Sequence, residues 1–173
     1  MTSNSILLKR AEAYAESKGA EILGKERLGH GNDGTVWKSS RLSAVKACIH
    51  RDRYQNELEC YVRLKHAGVR RIGAFDVPFL EDFDDNLMVI EMSIVSPPFL
   101  LDFGKVHIDS PPPYWGDPQV MANWHTEKRE LFGEEKWRVV QGLVRHLQHV
   151  HRIYYIDPNP GNIRFGDEDD AVL

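Results

Sequence analysis

Hydrophobic and polar positions alternate with two different periods along the chain, and the period changes sort it into elements. Residues 5–18 carry apolar Leu7, Leu8, Ala11, Tyr14 and Ala15 at helical spacing, with Ser5 placed to cap the helix and Gly19 placed to end it. Residues 21–28 and 34–38 read as two strands around a glycine-rich turn, and residues 43–49 as a third strand. Arg51 to Lys65 reads as a helix with Tyr54, Leu58, Tyr61, Val62 and Leu64 as core contacts. Phe75 to Phe79 and Asn86 to Met92 read as further strands, the second a near-continuous apolar run suited to a buried strand. Two proline clusters, Ser96-Pro97-Pro98 and Ser110-Pro111-Pro112-Pro113, then break the pattern. The stretch around 96–131 reads as an insertion, with one short helix near 117–130. A strong amphipathic helix returns from Glu134 to His151, with Trp137, Val140, Leu143, Val144, Leu147 and Val150 as its stripe. A tight loop, Asp157-Pro158-Asn159-Pro160-Gly161, leads into a short strand over 162–165 and an acidic turn.

Composition narrows the classes this pattern allows. The chain has 173 residues, 42% of them hydrophobic and 28% charged, as in an ordinary globular domain. No apolar run approaches the ~20 residues that span a bilayer, and the first residues carry no basic region or long apolar stretch, so neither membrane nor signal peptide is expected. Lys and Arg total 22 against 26 Asp and Glu, which argues against nucleic acid as a partner. Two cysteines, Cys48 and Cys60, fit a reducing, cytoplasmic setting.

Three features carry chemistry. Gly29-His30-Gly31-Asn32-Asp33-Gly34-Thr35-Val36 has the form G-x-G-x-x-G-x-V. Glycines permit positive φ and let backbone N–H groups approach phosphate oxygens. A dinucleotide fingerprint needs a helix directly after the glycines, whereas Thr35 to Lys38 is β-type; a strand–loop–strand lid over phosphates is expected instead. Lys46 lies inside the next apolar strand, where a charge is costly unless paired. Glu57, eleven residues on, is the expected partner, with Glu59 as its competitor; a snorkelling lysine and a solvated glutamate form the alternative. Asp157 and Asn162, five apart after the long helix, could orient an attacking hydroxyl and ligate Mg²⁺, although Asp-Pro and Asn-Pro are also turn dipeptides. The histidines at 146, 149 and 151 read as helix C-terminal residues rather than a metal site, and Trp115 and Trp124 as packing within the insertion rather than partner anchors.

In this order (glycine loop, strand lysine, helix glutamate, apolar strand, long helix, D-x-x-x-x-N) the sequence resembles the protein-kinase-like superfamily over roughly residues 21–165, and its catalytic loop is similar to that of aminoglycoside-type kinases. The resemblance implies an α+β fold with a complete β-rich N-lobe and a strongly shortened helical C-lobe. Residues 1–19 would form an N-terminal helix, 20–92 the N-lobe, and 93–173 the C-lobe with its insertion. It implies ATP and Mg²⁺ as cofactors and phosphoryl transfer to a hydroxyl of a protein or small molecule. Gly29, Gly31, Gly34, Val36, Lys46, Glu91 and Met92 would hold the nucleotide. Glu57 would position Lys46, Asp157 would act as base, and Asn162 would bind metal. Tyr155 and Ile156 stand where a kinase has His and Arg, so control by a phosphorylated activation loop is not implied. Asp102-Phe103-Gly104 precedes the catalytic loop, out of kinase order, and reads as coincidence; Asp167, Asp169 and Asp170 read as a solvated turn, with a second metal carboxylate as the alternative. The rival is a pseudokinase-type module that binds nucleotide or partner without turnover. The absent C-lobe helices imply self-association, or a partner protein covering the uncovered face of the long helix.

Overall fold

The computed structural model describes residues 3–166, and Asp167, Asp169 and Asp170 lie outside them. The described chain is α+β. Helix α1 (Ser3–Ser17) precedes strands β1 (Ile22–His30), β2 (Gly34–Ser39) and β3 (Ser43–Cys48). Helix α2 (Arg51–His66) follows, then β4 (Arg71–Ile72), β5 (Phe75–Asp76), β6 (Leu80–Asp84) and β7 (Val89–Ser93). After β8 (Phe99–Leu100) and β9 (His107–Ile108), a 3-10 turn (Pro113–Gly116) leads to α3 (Pro118–Phe132) and α4 (Glu134–His151). The last strands are β10 (Ile153–Tyr154) and β11 (Ile163–Arg164). Helix α1 already begins at Ser3, so Ser5 sits in its first turn rather than at its cap.

Five strands form an antiparallel sheet in the order β1-β2-β3-β7-β6. Strand periodicity divides its two faces. Trp37, Val45, Ala47 and Val89 point to one side, where Leu7, Ala11 and Tyr14 of α1 cover them. Ala44, Cys48, Ile90 and Met92 point to the other, into a core shared with Tyr54, Tyr61 and Leu64 of α2 and with the stripe of α4.

That stripe is not left uncovered, contrary to expectation. Trp137, Val140, Leu143, Val144 and Leu147 are buried within the chain. The insertion does much of the covering: α3 is capped by Asp117, whose carboxylate accepts from Gln119 and Val120 N–H, and lays Trp124 and Phe132 against Trp137. Val150, placed on the same stripe by its spacing, is exposed at the helix end.

Two short pairings set the geometry of the cleft. β8 pairs antiparallel with β11, Leu100 opposite Ile163, and β9 pairs with β10, Ile108 opposite Ile153. The first pair ends next to Asn162 and the second begins just before Asp157. The 101–106 loop is therefore pinned at both ends against the 155–162 loop. Leu101 N–H donating to the Asn162 carbonyl at 2.7 Å and Tyr155 Oη donating to the Leu101 carbonyl at 2.6 Å close the gap between them.

Candidate functional site

A cleft of about 540 Å³ lies between the glycine-rich loop and the two pinned loops. Gly29, Gly31, Gly34, Val36, Lys46 and Met92 all line it. The glycine requirement differs along the loop. A Cβ on Gly34 would lie 2.5 Å from the Ala47 carbonyl oxygen of the paired strand, so this position admits no side chain. At Gly31, whose N–H donates to the Gly34 carbonyl at 3.0 Å, nothing stands within 4 Å of where a Cβ would lie. None of the three sits in the left-handed region, so close approach, and not positive φ, is what glycine provides here.

Glu91 does not line the cleft. Its position in β7 turns the side chain to the α1 face, where its buried carboxylate accepts from Tyr14 Oη at 2.8 Å and from Ser43 Oγ. Of the expected pair 91–92, only Met92 lines the cleft.

Lys46 and Glu57 meet across the cleft floor, with Nζ donating to Oε1 at 2.8 Å and Oε2 at 2.6 Å. Glu59 pairs with Arg63 instead. Glu57 is 1% exposed and Lys46 8%. Burial opposes the lysine's charge, but the Glu57 carboxylate, and then Asp102, hold the ammonium above its ordinary value. Two free thiols flank this pair: Cys48 two residues along β3 and Cys60 one turn along α2. Burial pushes Cys48 up to about 12 and raises Cys60 as well.

The segment read as coincidental, Asp102-Phe103-Gly104, stands at the centre of the site. Asp102 Oδ1 lies 3.6 Å from Lys46 Nζ, and its Oδ2 accepts from Asn162 Nδ2 at 3.4 Å. Asp102 has φ +60, a left-handed conformation that aspartate tolerates better than most residues. Phe103 is fully buried and meets Tyr61 of α2 edge-on at 5.3 Å and Tyr155 at 5.8 Å, so one aromatic stack joins the helix of Glu57 to the loop of Asp157.

Asp157 projects into the cleft between two lysines. Lys105 Nζ donates to Oδ2 at 3.0 Å, and Lys128 of α3 lies 3.6 Å from Oδ1. Partial burial would raise the Asp157 carboxyl, but Lys105 and then Lys128 hold it below the usual aspartate value. Asn159 stiffens the loop: its Oδ1 accepts from Gly161 and Asn162 N–H, and its Nδ2 donates to the Asp157 carbonyl. From below, Trp124 Nε1 donates to the Ile156 carbonyl at 3.0 Å. Neither lysine was expected in the site; Lys128 is 5% exposed on a helix that reads as mostly polar, and a buried unexplained lysine becomes visible only in the structure.

Among the described residues no three His, Cys, Asp or Glu side chains gather into a metal site, and the rings of His146 and His151 merely lean on each other at 5.4 Å. The chain matches no family model, and a search of curated proteins finds no match to it.

Proposed function

We propose that the chain is a protein-kinase-like phosphotransferase that binds ATP with Mg²⁺ in this cleft and transfers the terminal phosphoryl group to a hydroxyl. One observation carries the reading: the bidentate Lys46–Glu57 pair, Asp102 and Asn162 converge on one cleft lined by the glycine loop. A cation flanked by a buried carboxylate is pre-organised to hold phosphate oxygens without being free to leave. The Asp102 carboxylate and the Asn162 side-chain carbonyl are hard oxygen donors of the kind Mg²⁺ takes. Two protein ligands suffice where nucleotide phosphates and water complete the octahedron. Bound there, Mg²⁺ would neutralise phosphate charge.

In the transfer, the acceptor hydroxyl oxygen attacks the terminal phosphorus. A new P–O bond forms, the bond to the bridging oxygen of ADP breaks, and the hydroxyl proton passes to Asp157. With Asp102 beside Asn162 as a second metal carboxylate, the enzyme is preferred to the pseudokinase-type module.

The test is a thermal-shift titration with ATP and Mg²⁺, followed by labelled-ATP turnover in wild type and Asp157→Asn. A folded-state ligand at a hundredfold excess over its Kd adds about 2.7 kcal/mol of stability. Wild type should show that rise, and Asp157→Asn should retain it while losing turnover. No rise overturns the nucleotide reading; a rise without wild-type turnover returns the module that binds without turnover.

A further inference from the structure

We infer that Lys105 is the ligand of the nucleotide's terminal phosphate, parked on Asp157 while the cleft is empty and handed to the phosphate when a triphosphate binds. The inference rests on the nucleotide reading above and deepens it by assigning a residue that the sequence pattern does not mark.

The placement of the charges carries it. Lys46, its side chain 10% exposed, grips Glu57 with Asp102 beside it, whereas Asp157 on the same cleft is 36% exposed. A chain of phosphates anchored at Lys46 and running toward Asp157 brings its last group up against that carboxylate. Two anions cannot share the position without a cation between them. Lys128 cannot serve, because it is 5% exposed and does not line the cleft. Lys105 does line it, its side chain is 38% exposed, and it sits three residues beyond Asp102 on the same pinned loop. Besides Asp157, the carboxylates of Asp33 at the tip of the glycine loop and of Asp102 add to the field on its ammonium. Lys105 therefore stands where the loops converge, paired with Asp157 and within the field of Asp33 and Asp102.

The exchange also serves the base. With Lys105 on Oδ2 and Lys128 facing Oδ1, both oxygens of Asp157 face an ammonium, and such a carboxylate is a poor proton acceptor. Moving Lys105 to the phosphate frees Oδ2 for the acceptor hydroxyl only once the phosphoryl donor is in place.

The experiment is calorimetric titration of wild type, Lys105→Ala and Asp157→Asn with ATP and with ADP, each in Mg²⁺. Lys105→Ala should weaken ATP by roughly tenfold or more, the scale of one charge-assisted hydrogen bond, and leave ADP within about twofold. Asp157→Asn, which releases the lysine, should tighten ATP relative to ADP. Equal losses for both nucleotides, or none for either, in Lys105→Ala would overturn the assignment while leaving the nucleotide site standing. If wild type binds neither nucleotide, the nucleotide reading falls and takes the assignment with it.

Discussion

At the scale of single residues, the Lys46–Glu57 pair is the part of the site whose chemistry is also its main structural liability. Both partners are buried, so removing Lys46 leaves the Glu57 charge without water or its counter-ion. Lys46→Met should cost about 3–5 kcal/mol of unfolding free energy by urea denaturation. Lys46→Met with Glu57→Leu should recover most of that, because the uncompensated charge goes too. Asp157 offers a prediction in pH. Its carboxyl is held below the ordinary aspartate value, so the folded state gains stability that is fully present above that value. The gain is lost as pH falls through the depressed one. Lys128→Met moves the depressed value upward, so the gain should be smaller than in wild type and its loss complete at higher pH. Lys128→Arg should restore the original profile. Urea midpoints across about pH 3–6 read both variants. The pairing of Lys46 with Glu57 was legible in the sequence because a lysine in a buried strand demands a partner within reach. Asp102 is not, because strand pairing brings it to Asn162 from sixty residues earlier in the chain. The available signal was β-type sequence on both sides of it, Phe99-Leu100 before and Val106-His107-Ile108 after.

Among elements, the long helix α4 matches its expected bounds of Glu134 and His151, since a strong apolar stripe with acidic residues at its start leaves little choice. The strands fared less evenly. The expected 75–79 strand is only Phe75–Asp76, and Pro78, which has no N–H to give a ladder, lies in the stretch beyond it. The expected start at Asn86 is a turn, because the Asp84 carboxylate captures the N–H groups of Asn86 and Leu87 and delays β7 to Val89. The acidic run Leu80-Glu81-Asp82-Phe83-Asp84 is an edge strand, β6, whose charges hid it. Helix α1 is fixed to the far face of the sheet by polar as well as apolar contacts: Arg10 donates to the carbonyls of Leu87 and Met88, and Tyr14 to Glu91. Tyr14→Phe takes one donor from a buried carboxylate and should cost about 1–3 kcal/mol in chemical denaturation. Nucleotide affinity should not change, since Glu91 faces away from the cleft.

For the whole molecule, the order of the chain and the order of the site differ. Asp102, Lys105 and Lys128 come from the stretch between the five-stranded sheet and α4; the β8–β11 and β9–β10 pairs bring the first two back into the cleft, and Lys128 reaches Asp157 from α3. The same stretch covers the α4 stripe, so the apolar face that called for self-association is occupied from within. No helix among the described residues is long and apolar enough to cross a membrane. The two buried thiols beside Lys46 and Glu57 give this arrangement an internal clock. A disulfide reagent reacts with thiolate, and neither cysteine is exposed or easily ionised in the closed molecule. Modification can therefore proceed only as fast as strand β3 and helix α2 come apart. The rate of colour release counts those openings one molecule at a time, and a ligand seated on Lys46 should slow it in proportion to its occupancy.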